Sequence, residues 1–157
     1  MAEARYVARR RAALRASAVC LLVIALDQLT KHTLGTWIHP DQVRHAIPGL
    51  TLVYERNTGV AFSFLAGTGA LVYVVTAVAL VALVAFLMRH PRRRLLWLPT
   101  GMLVGGALGN LIDRVALGSV IDFIKLPHWP AFNIADTCIT FGVIILVLVI
   151  ERGPRRD

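Results

Sequence analysis

Acidic residues and cysteine are scarce in this sequence. Its 157 residues contain nine Asp+Glu against 17 Lys+Arg, and only two cysteines. Cys20 and Cys138 lie in apolar segments without CxxC or His/Cys ligand spacing, so a disulfide framework or a zinc site is not expected and both are interpreted as packing residues. The motifs HExxH, GxSxG and GxxxxGK[ST] are also missing, which argues against a zinc metalloprotease, a serine hydrolase of that type and a P-loop NTPase.

Apolar residues are abundant instead. They make up 57% of the chain and give a mean hydropathy of +0.66, which is typical of a membrane protein. Spanning a bilayer as a helix takes about 20 apolar residues, and four stretches approach that length: 14–34, 66–88, 95–117 and 134–150. We predict an all-α integral membrane protein, a single domain over residues 1–157 with four transmembrane helices.

The arginines indicate how these spans are oriented. Much of the positive charge lies in blocks before the first span, between the second and third, and after the fourth, which are all on one side if the spans alternate. Such blocks mark the cytoplasmic side, so both termini are predicted to be cytoplasmic, and the segments at about 35–65 and 118–133 to be extracytoplasmic. Because topology explains the net charge of +8, no nucleic-acid partner is expected. The arginines are Arg5, Arg9, Arg10, Arg11, Arg15, Arg89, Arg92, Arg93, Arg94, Arg152, Arg155 and Arg156.

The first 35 residues have a competing interpretation as a cleaved secretory signal, because a basic start before an apolar run is common to both. The stretch "SAVC" at 17–20 even resembles a lipoprotein processing site. However, Val19 is branched where such sites take a small residue, and the apolar stretch continues past Cys20. We therefore predict a retained first span.

The first external segment contains a strand pattern. "GLTLVYE" follows Pro48 and Gly49 and is rich in β-branched and aromatic residues, which predicts a strand after a turn. The segment is long enough for a small sheet at the outer leaflet. An irregular loop is the alternative.

Polar residues within the predicted spans gather near the extracytoplasmic end. A charge at the centre of a membrane helix costs at least about 2.5–3.5 kcal/mol, so such groups usually face the bundle interior and pair. In the third span they stand at i, i+3 and i+4 on one face, after a "GGALG" stretch that permits close helix approach. The alternative is that they are only ion pairs, Asp27 with Lys31 and Asp113 with Arg114, or snorkelling cations. The polar residues are Asp27, Lys31, Asn110, Asp113, Arg114 and Asp136.

Two acids lie within or just after the second external segment. Asp122 and Asp136 have only Lys125 as a nearby cation in sequence, and a short loop containing Pro127 and Pro130 could bring them together. Two carboxylates that share a site of low dielectric cannot both ionise easily, so one pKa rises and the other falls. Such a pair supplies an acid and a base at one pH, as in aspartic proteolysis.

A serine and lysine pair is a weaker catalytic alternative. Either Ser63 or Ser119 could act with Lys31 or Lys125. Nothing in the sequence places these residues in register.

Five sequence blocks resemble those of the lipoprotein signal peptidases, also called signal peptidase II, and occur in that family's order. They cover nearly the whole chain from Asp27 to Ile150, and the four-span topology is also the family's. Thr30 and Val60 stand where serine and alanine are common. The blocks are "DQLTK" at 27–31, "RNTGVAFSFL" at 56–65, "GGALGNLIDR" at 105–114, "GSVIDFI" at 118–124 and "FNIADTCIT" at 132–140.

The resemblance implies an aspartic endopeptidase of the bacterial inner membrane with its active site at the extracytoplasmic face. Such an enzyme removes the signal peptide of a diacylglyceryl-modified prolipoprotein by cutting before the lipidated cysteine, and it uses no metal or other cofactor. By motif, Asp122 and Asp136 would be catalytic. Membrane lipids and the cyclic peptide inhibitor globomycin are the other expected partners. The residues expected to shape or support the site are Asp27, Lys31, Asn57, Asn110, Asp113, Arg114, Asn133 and Ala135.

Two other functions compete with the peptidase. A small proton- or ion-coupled transporter would relay charge through Asp27, Asp113 and Asp136, but these groups gather at one end and no internal repeat is visible. A noncatalytic scaffold would tolerate Asn, Ala or Ser in place of Asp122 and Asp136.

Overall fold

The computed structural model describes residues 2–38, 42–58 and 69–152, with side chains from residue 74 onward in the last range. Most of these residues are helical, as predicted, and a small sheet accompanies the helices. Along the chain the elements are α1 (Ala2–Trp37), β1 (Arg44–Ile47), β2 (Leu50–Asn57), α2 (Gly69–Arg89), α3 (Trp97–Leu117), β3 (Val120–Lys125) and α4 (Ile134–Glu151).

One helix lies over each of the four apolar stretches. Helix α1 begins well before residue 14, because the preceding segment is rich in alanine and arginine and carries Glu3 in its first turn, where an acid complements the helix dipole. Helix α2 is described from Gly69, so the predicted start at 66 lies outside the described residues. Gly118 caps the end of helix α3. Its N–H bonds the carbonyl oxygen of Arg114, and its φ of 70°, which glycine adopts readily, turns the chain away from the helix.

Helix α3 packs against both α1 and α4, and glycines permit the close approach. A Cβ on Gly105 would lie 2.8 Å from the carbonyl oxygen of Cys20 in α1, and a Cβ on Gly106 would lie 2.6 Å from that of Ala135 in α4. The close helix contact predicted from "GGALG" is therefore confirmed. This packing brings the end of α1, the end of α3 and the start of α4 together.

We expect Gly106→Ala to destabilise the fold by about 1–3 kcal/mol, because the added methyl group overpacks the contact with α4. The sign of this change in stability is informative, because helix propensity alone favours alanine over glycine by about 1 kcal/mol and would raise the stability. Thermal unfolding in detergent measures the effect, and Ala116→Gly, at an exposed position of the same helix, measures the propensity contribution alone. A melting temperature at or above that of the wild type for Gly106→Ala would contradict the close packing.

The strands form one antiparallel sheet in the order β1-β2-β3. Strand β2 contains the residues that follow Gly49 in the predicted "GLTLVYE" pattern, so the small sheet predicted within residues 35–65 is confirmed. Strand β2 pairs with β3 in a register that sets Glu55 opposite Asp122 and Asn57 opposite Val120. The sheet thus carries Asp122 on a strand and Asn57 beside it.

Residues 118–133 contain a strand that was not predicted, and the predicted loop with Pro127 and Pro130 follows it. Residues Val120–Lys125 form a strand that is rich in β-branched and aromatic residues, which favour strands. Its first four residues are buried, so both faces of this part of the strand are packed. The chain then returns, and Phe132 forms an isolated antiparallel bridge with Ile124. The return leads directly into α4, which places Asp136 near the strand that holds Asp122.

The outward faces of the helices are strongly apolar. Leu21 is 67% exposed, Val81 69% and Val115 81%, which is the reverse of a soluble protein and fits contact with lipid. By length and composition, α1 and α4 are each able to cross a membrane, and Val74–Arg89 of α2 forms a shorter apolar helix within the described side chains.

Candidate active site

Asp122 lies on β3 with its side chain enclosed by the protein. It is 2% exposed. The Nδ2 groups of Asn57 and Asn133 donate to its two carboxylate oxygens at 3.0 Å and 2.8 Å. The pKa of Asp122 is raised to about 6, mainly by burial and also by the charge of Asp136, against the opposing effects of the two asparagine hydrogen bonds and the charge of Lys31. Asp122 therefore keeps its proton to a higher pH than a free aspartate does, up to about pH 6.

Asp136 lies in the first turn of α4, where its backbone and side chain complete a capping box with Asn133. Its N–H donates to Asn133 Oδ1 at 2.9 Å, and its Oδ2 accepts from the Asn133 N–H at 3.3 Å. Asn110 Nδ2 donates to the other carboxylate oxygen at 2.8 Å. The start of α4 is therefore fixed by the same residue that bonds Asp122.

Asn133 joins the two aspartates. It is fully buried, and its Nδ2 lies 2.8 Å from Asp122 Oδ1, 3.1 Å from Asn110 Oδ1 and 3.2 Å from the Ile121 carbonyl oxygen. Its Oδ1 accepts from the N–H of Asp136. Strand β3, helix α3 and helix α4 thus meet at one amide, and the structure brings the predicted catalytic pair into one hydrogen-bond network.

A buried ionic cluster lies beneath this network. Lys31 Nζ lies 2.7 Å from Asp27 Oδ2 and 2.8 Å from Asp113 Oδ2, and it also donates to Asn110 Oδ1 at 3.2 Å. The Asp27–Lys31 pair was one of the sequence alternatives and is confirmed. The alternative pair of Asp113 with Arg114 is wrong, because α1 packs against α3 and brings Lys31 to Asp113.

Three other residues named in the sequence analysis bond groups other than the carboxylates of Asp122 and Asp136. Ala135 contributes its N–H, which donates to Asp27 Oδ1 at 2.9 Å. Arg114 Nη1 donates to the Asn110 carbonyl oxygen at 3.4 Å, and among the described side chains it has no bond to either of the predicted catalytic aspartates. Lys125, the cation nearest to Asp122 in sequence, pairs with Glu55 across the sheet instead.

The serine and lysine alternative gains no support. Ser63 lies outside the described residues. Ser119 Oγ accepts from Arg56 Nε at 3.1 Å, while Lys31 and Lys125 are paired with acids.

Sequence reasoning missed Gln28. Its Nε2 lies 2.9 Å from Asp113 Oδ1, 3.2 Å from the Gly109 carbonyl oxygen and 3.3 Å from Asp27 Oδ2, so it joins the ionic cluster from α1. Its place inside the "DQLTK" block was the only available signal, because the contact crosses between two helices.

A cavity of about 380 Å³ opens beside Asp122. It is lined on one side by β2, including Asn57, and on the other by the return segment, including Trp129. Within the part of the chain that the structure describes, no group of three or more His, Cys, Asp or Glu side chains could hold a metal ion. Asp122 and Asp136, together with the amides of Asn57, Asn110 and Asn133 that bond them, form a set able to transfer protons.

Comparison with known proteins identifies the family. Residues 19–151 match the family model of signal peptidase (SPase) II. The chain is 45% identical over 130 residues to the lipoprotein signal peptidase of Moorella thermoacetica, covering 82% of this chain and 87% of that protein. It is 41% identical over 139 residues to that of Syntrophomonas wolfei, covering 87% and 93%.

Solved structures agree with this. A bacterial membrane enzyme determined by the in meso method at 1.9 Å resolution has a TM-score of 0.79 and 32% sequence identity, covering 88% of this chain and 94% of that one. A second such structure, at 2.3 Å, has a TM-score of 0.78 and 30% identity, covering 90% and 93%. With most of its length matched in sequence and in fold, the chain belongs to the signal peptidase II family.

Proposed function

We propose that this chain cleaves prolipoproteins as an aspartic endopeptidase, with Asp122 and Asp136 as its catalytic pair. Membership of the signal peptidase II family carries the general activity, which is removal of the signal peptide from prolipoproteins. The observation that carries the catalytic assignment is the network in which Asn133 bonds both aspartates beside an open cavity.

The chemistry follows from one proton shared by the pair. Asp136, ionised, takes a proton from a water molecule as the water oxygen attacks the scissile carbonyl carbon, and Asp122 gives its proton to the carbonyl oxygen. In the second step, Asp136 returns a proton to the leaving amine nitrogen while Asp122 removes one from a hydroxyl of the intermediate. The C–N bond breaks, and the pair again holds one proton.

We also propose that the four helices all span the bacterial inner membrane with both termini in the cytoplasm. Hydrogen bonds that bring the arginine blocks to the same end of the helix bundle support this. Arg9, near the start of α1, donates to the Met88 carbonyl oxygen at the end of α2, and Arg93 donates to the Ile150 carbonyl oxygen at the end of α4. The basic blocks therefore gather at the opposite end of the bundle from the aspartates, which supports an extracytoplasmic location for the aspartates.

This position suits a lipid-modified substrate. A diacylglyceryl cysteine keeps its acyl chains in the outer leaflet, so the bond before it lies near the interface where the aspartates are proposed to lie. The apolar helix faces provide contact for the acyl chains and surrounding lipids, and the cavity beside Asp122 provides room for polypeptide. We expect globomycin to bind at the same place.

The substrate assignment is tested with purified wild-type protein in detergent. One precursor carries a diacylglyceryl cysteine, and its matched control has serine at that position and no lipid. We expect a single cut immediately before the lipidated cysteine, located by intact mass, with no cut in the control and no effect of a chelator. Equal cleavage of the two precursors would overturn the lipid requirement, and chelator inhibition that added metal reverses would overturn the metal-free mechanism.

The rate is expected to depend on the proton held by Asp122. Because the mechanism needs this carboxyl protonated and its pKa is raised to about 6, kcat should fall as pH rises through that region. Asn57 donates to the ionised form and so lowers the pKa. Asn57→Ala removes this donor, and the alkaline limb of the kcat profile should therefore move to higher pH.

Histidines provide the control for this profile, because a free histidine also titrates near pH 6.5. His45 and His128 line a neighbouring cavity of about 700 Å³. The limb should stay in place in His45→Gln and His128→Gln. A limb that disappears in either histidine variant, or that moves to lower pH in Asn57→Ala, would contradict the assignment to Asp122.

The transporter alternative is not supported, because the sequence and structural relatives are peptidases and membrane enzymes. The contacts among Asp27, Asp113 and Lys31 also confine these charges to one end of the bundle.

A further inference from the structure

Two buried acids each bond the backbone N–H of the residue that precedes one of the proposed catalytic residues. Asp27 Oδ1 accepts from the N–H of Ala135, the residue before Asp136, at 2.9 Å. Asp113 Oδ2 accepts from the N–H of Ile121, the residue before Asp122, at 3.1 Å. The same contact thus occurs twice, once from α1 and once from α3.

Lys31 links the two acids. Its ammonium lies 2.7 Å from Asp27 and 2.8 Å from Asp113, and it is 3% exposed. Two carboxylates buried this close together would otherwise repel each other, and a buried cation between them offsets much of that cost only when the geometry is good. Gln28 donates to Asp113 and completes the cluster. The two main-chain contacts therefore share one central charge.

Neither acid is placed to touch a substrate. Asp27 is 0% exposed and Asp113 3%. Helix α3 approaches Asp27 so closely that a Cβ on Gly109 would lie 2.8 Å from its Oδ2. Both acids therefore act on the reaction indirectly, through the backbone that they hold and through Lys31, which distinguishes them from Asp122 and Asp136.

We propose that Asp27, Lys31 and Asp113 form one positioning unit, which sets the separation of the two catalytic carboxylates by holding the backbone before each of them. The proposal rests on the proposed function. Lys31 acts as the common anchor, so a shift on one side is transmitted to the other. Loss of either contact moves one carboxylate relative to its partner, and a displacement of the order of 1 Å can cost about 100-fold in rate.

The test uses Asp27→Asn, Asp113→Asn and the double variant, because asparagine keeps the size while removing the charge and one of the two acceptor oxygens, so it cannot keep both the charged bond to Lys31 and the full set of contacts at the backbone. We expect each single variant to lower kcat by about 10- to 100-fold with KM within about two-fold. The double variant should be no more than about three-fold slower than the slower single variant, since residues that act as a unit are non-additive. Lys31→Met should lower kcat to a similar level.

Thr100→Val is the matched control. Thr100 is a buried polar residue of α3 whose hydroxyl bonds the Leu96 carbonyl oxygen, away from the aspartates. This variant should lose thermal stability and keep kcat per folded molecule. Folding of every variant is measured by thermal unfolding in the same detergent, so the asparagine variants remain informative if Lys31→Met does not fold.

The outcomes separate this proposal from the function on which it rests. Wild-type protein that fails to cut the lipidated precursor would overturn the proposed function. Wild-type cleavage combined with single variants that keep kcat within about two-fold, or with losses that multiply in the double variant, would overturn the positioning unit alone. A rise in KM without a fall in kcat would overturn it as well, because that result assigns the acids to substrate binding.

Discussion

Asp122→Asn and Asp136→Asn are each expected to lower the cleavage rate by at least about 1,000-fold, the loss typical of removing a residue that takes part directly in proton transfer. Asparagine keeps the shape of the side chain and can still meet the amides of Asn57, Asn133 or Asn110. It neither gives nor takes the proton, so water attack and amine departure both lose their partner. Single-turnover cleavage of a lipidated precursor in detergent measures the loss.

Two controls make this result specific. Each variant must show the wild-type unfolding transition, and Glu3→Gln, an exposed acid at the start of α1, should cleave within about two-fold of the wild type. If either asparagine variant at 122 or 136 cleaves at the wild-type rate while correctly folded, the site has been misassigned and the noncatalytic interpretation of these acids returns.

Asn133→Ser is expected to lower kcat by about 100-fold with little loss of stability. Asn133 has two roles, as the N-cap of α4 and as the donor that joins Asp122 to the network. Serine is nearly as good an N-cap as asparagine, whereas alanine costs about 1 kcal/mol. Serine lacks the amide that reaches Asp122, so only the second role is lost, and misalignment of this kind costs roughly 100-fold.

Comparison with Asn133→Ala separates the two roles. We expect both variants to show the same reduced kcat, and only the alanine variant to show the additional loss of stability in thermal unfolding. Were the serine variant to keep full activity, the bridge between the aspartates would have no role in catalysis. Were the two variants equally destabilised, the capping interpretation would be wrong.

The sequence was sufficient for the features that local composition determines. Apolar runs of the right length located the helices, and β-branched residues after Pro48 and Gly49 located the strand β2. The strand β3 was missed because "VIDFIK" is short and lies next to two prolines, so its pairing with β2 becomes visible only when the sheet exists. The same pairing gives Lys125 a partner in Glu55 instead of Asp122.

The site itself was only partly predictable. Motif resemblance named the aspartates and most of their neighbours, but it could not show which groups touch. The contact of Asp27 with the N–H of Ala135 joins residues 108 positions apart, and that of Lys31 with Asn110 joins residues 79 apart. Such contacts depend on the packing of α1 and α4 on the glycines of α3. The "GGALG" pattern predicts a close helix contact but not which helices make it or in which register. For that reason the sequence offered Arg114 as the partner of Asp113, and the fold supplies Lys31.

The most direct measurement is an experimental structure of the protein with a lipidated peptide whose scissile amide is replaced by a hydroxyl-bearing isostere. Such a group mimics the tetrahedral intermediate. We predict that its hydroxyl lies between Asp122 and Asp136, within about 2.5–3.0 Å of an oxygen of each carboxylate, with Asn133 still bonded to both residues. A hydroxyl bound away from either carboxylate would contradict the shared-proton mechanism.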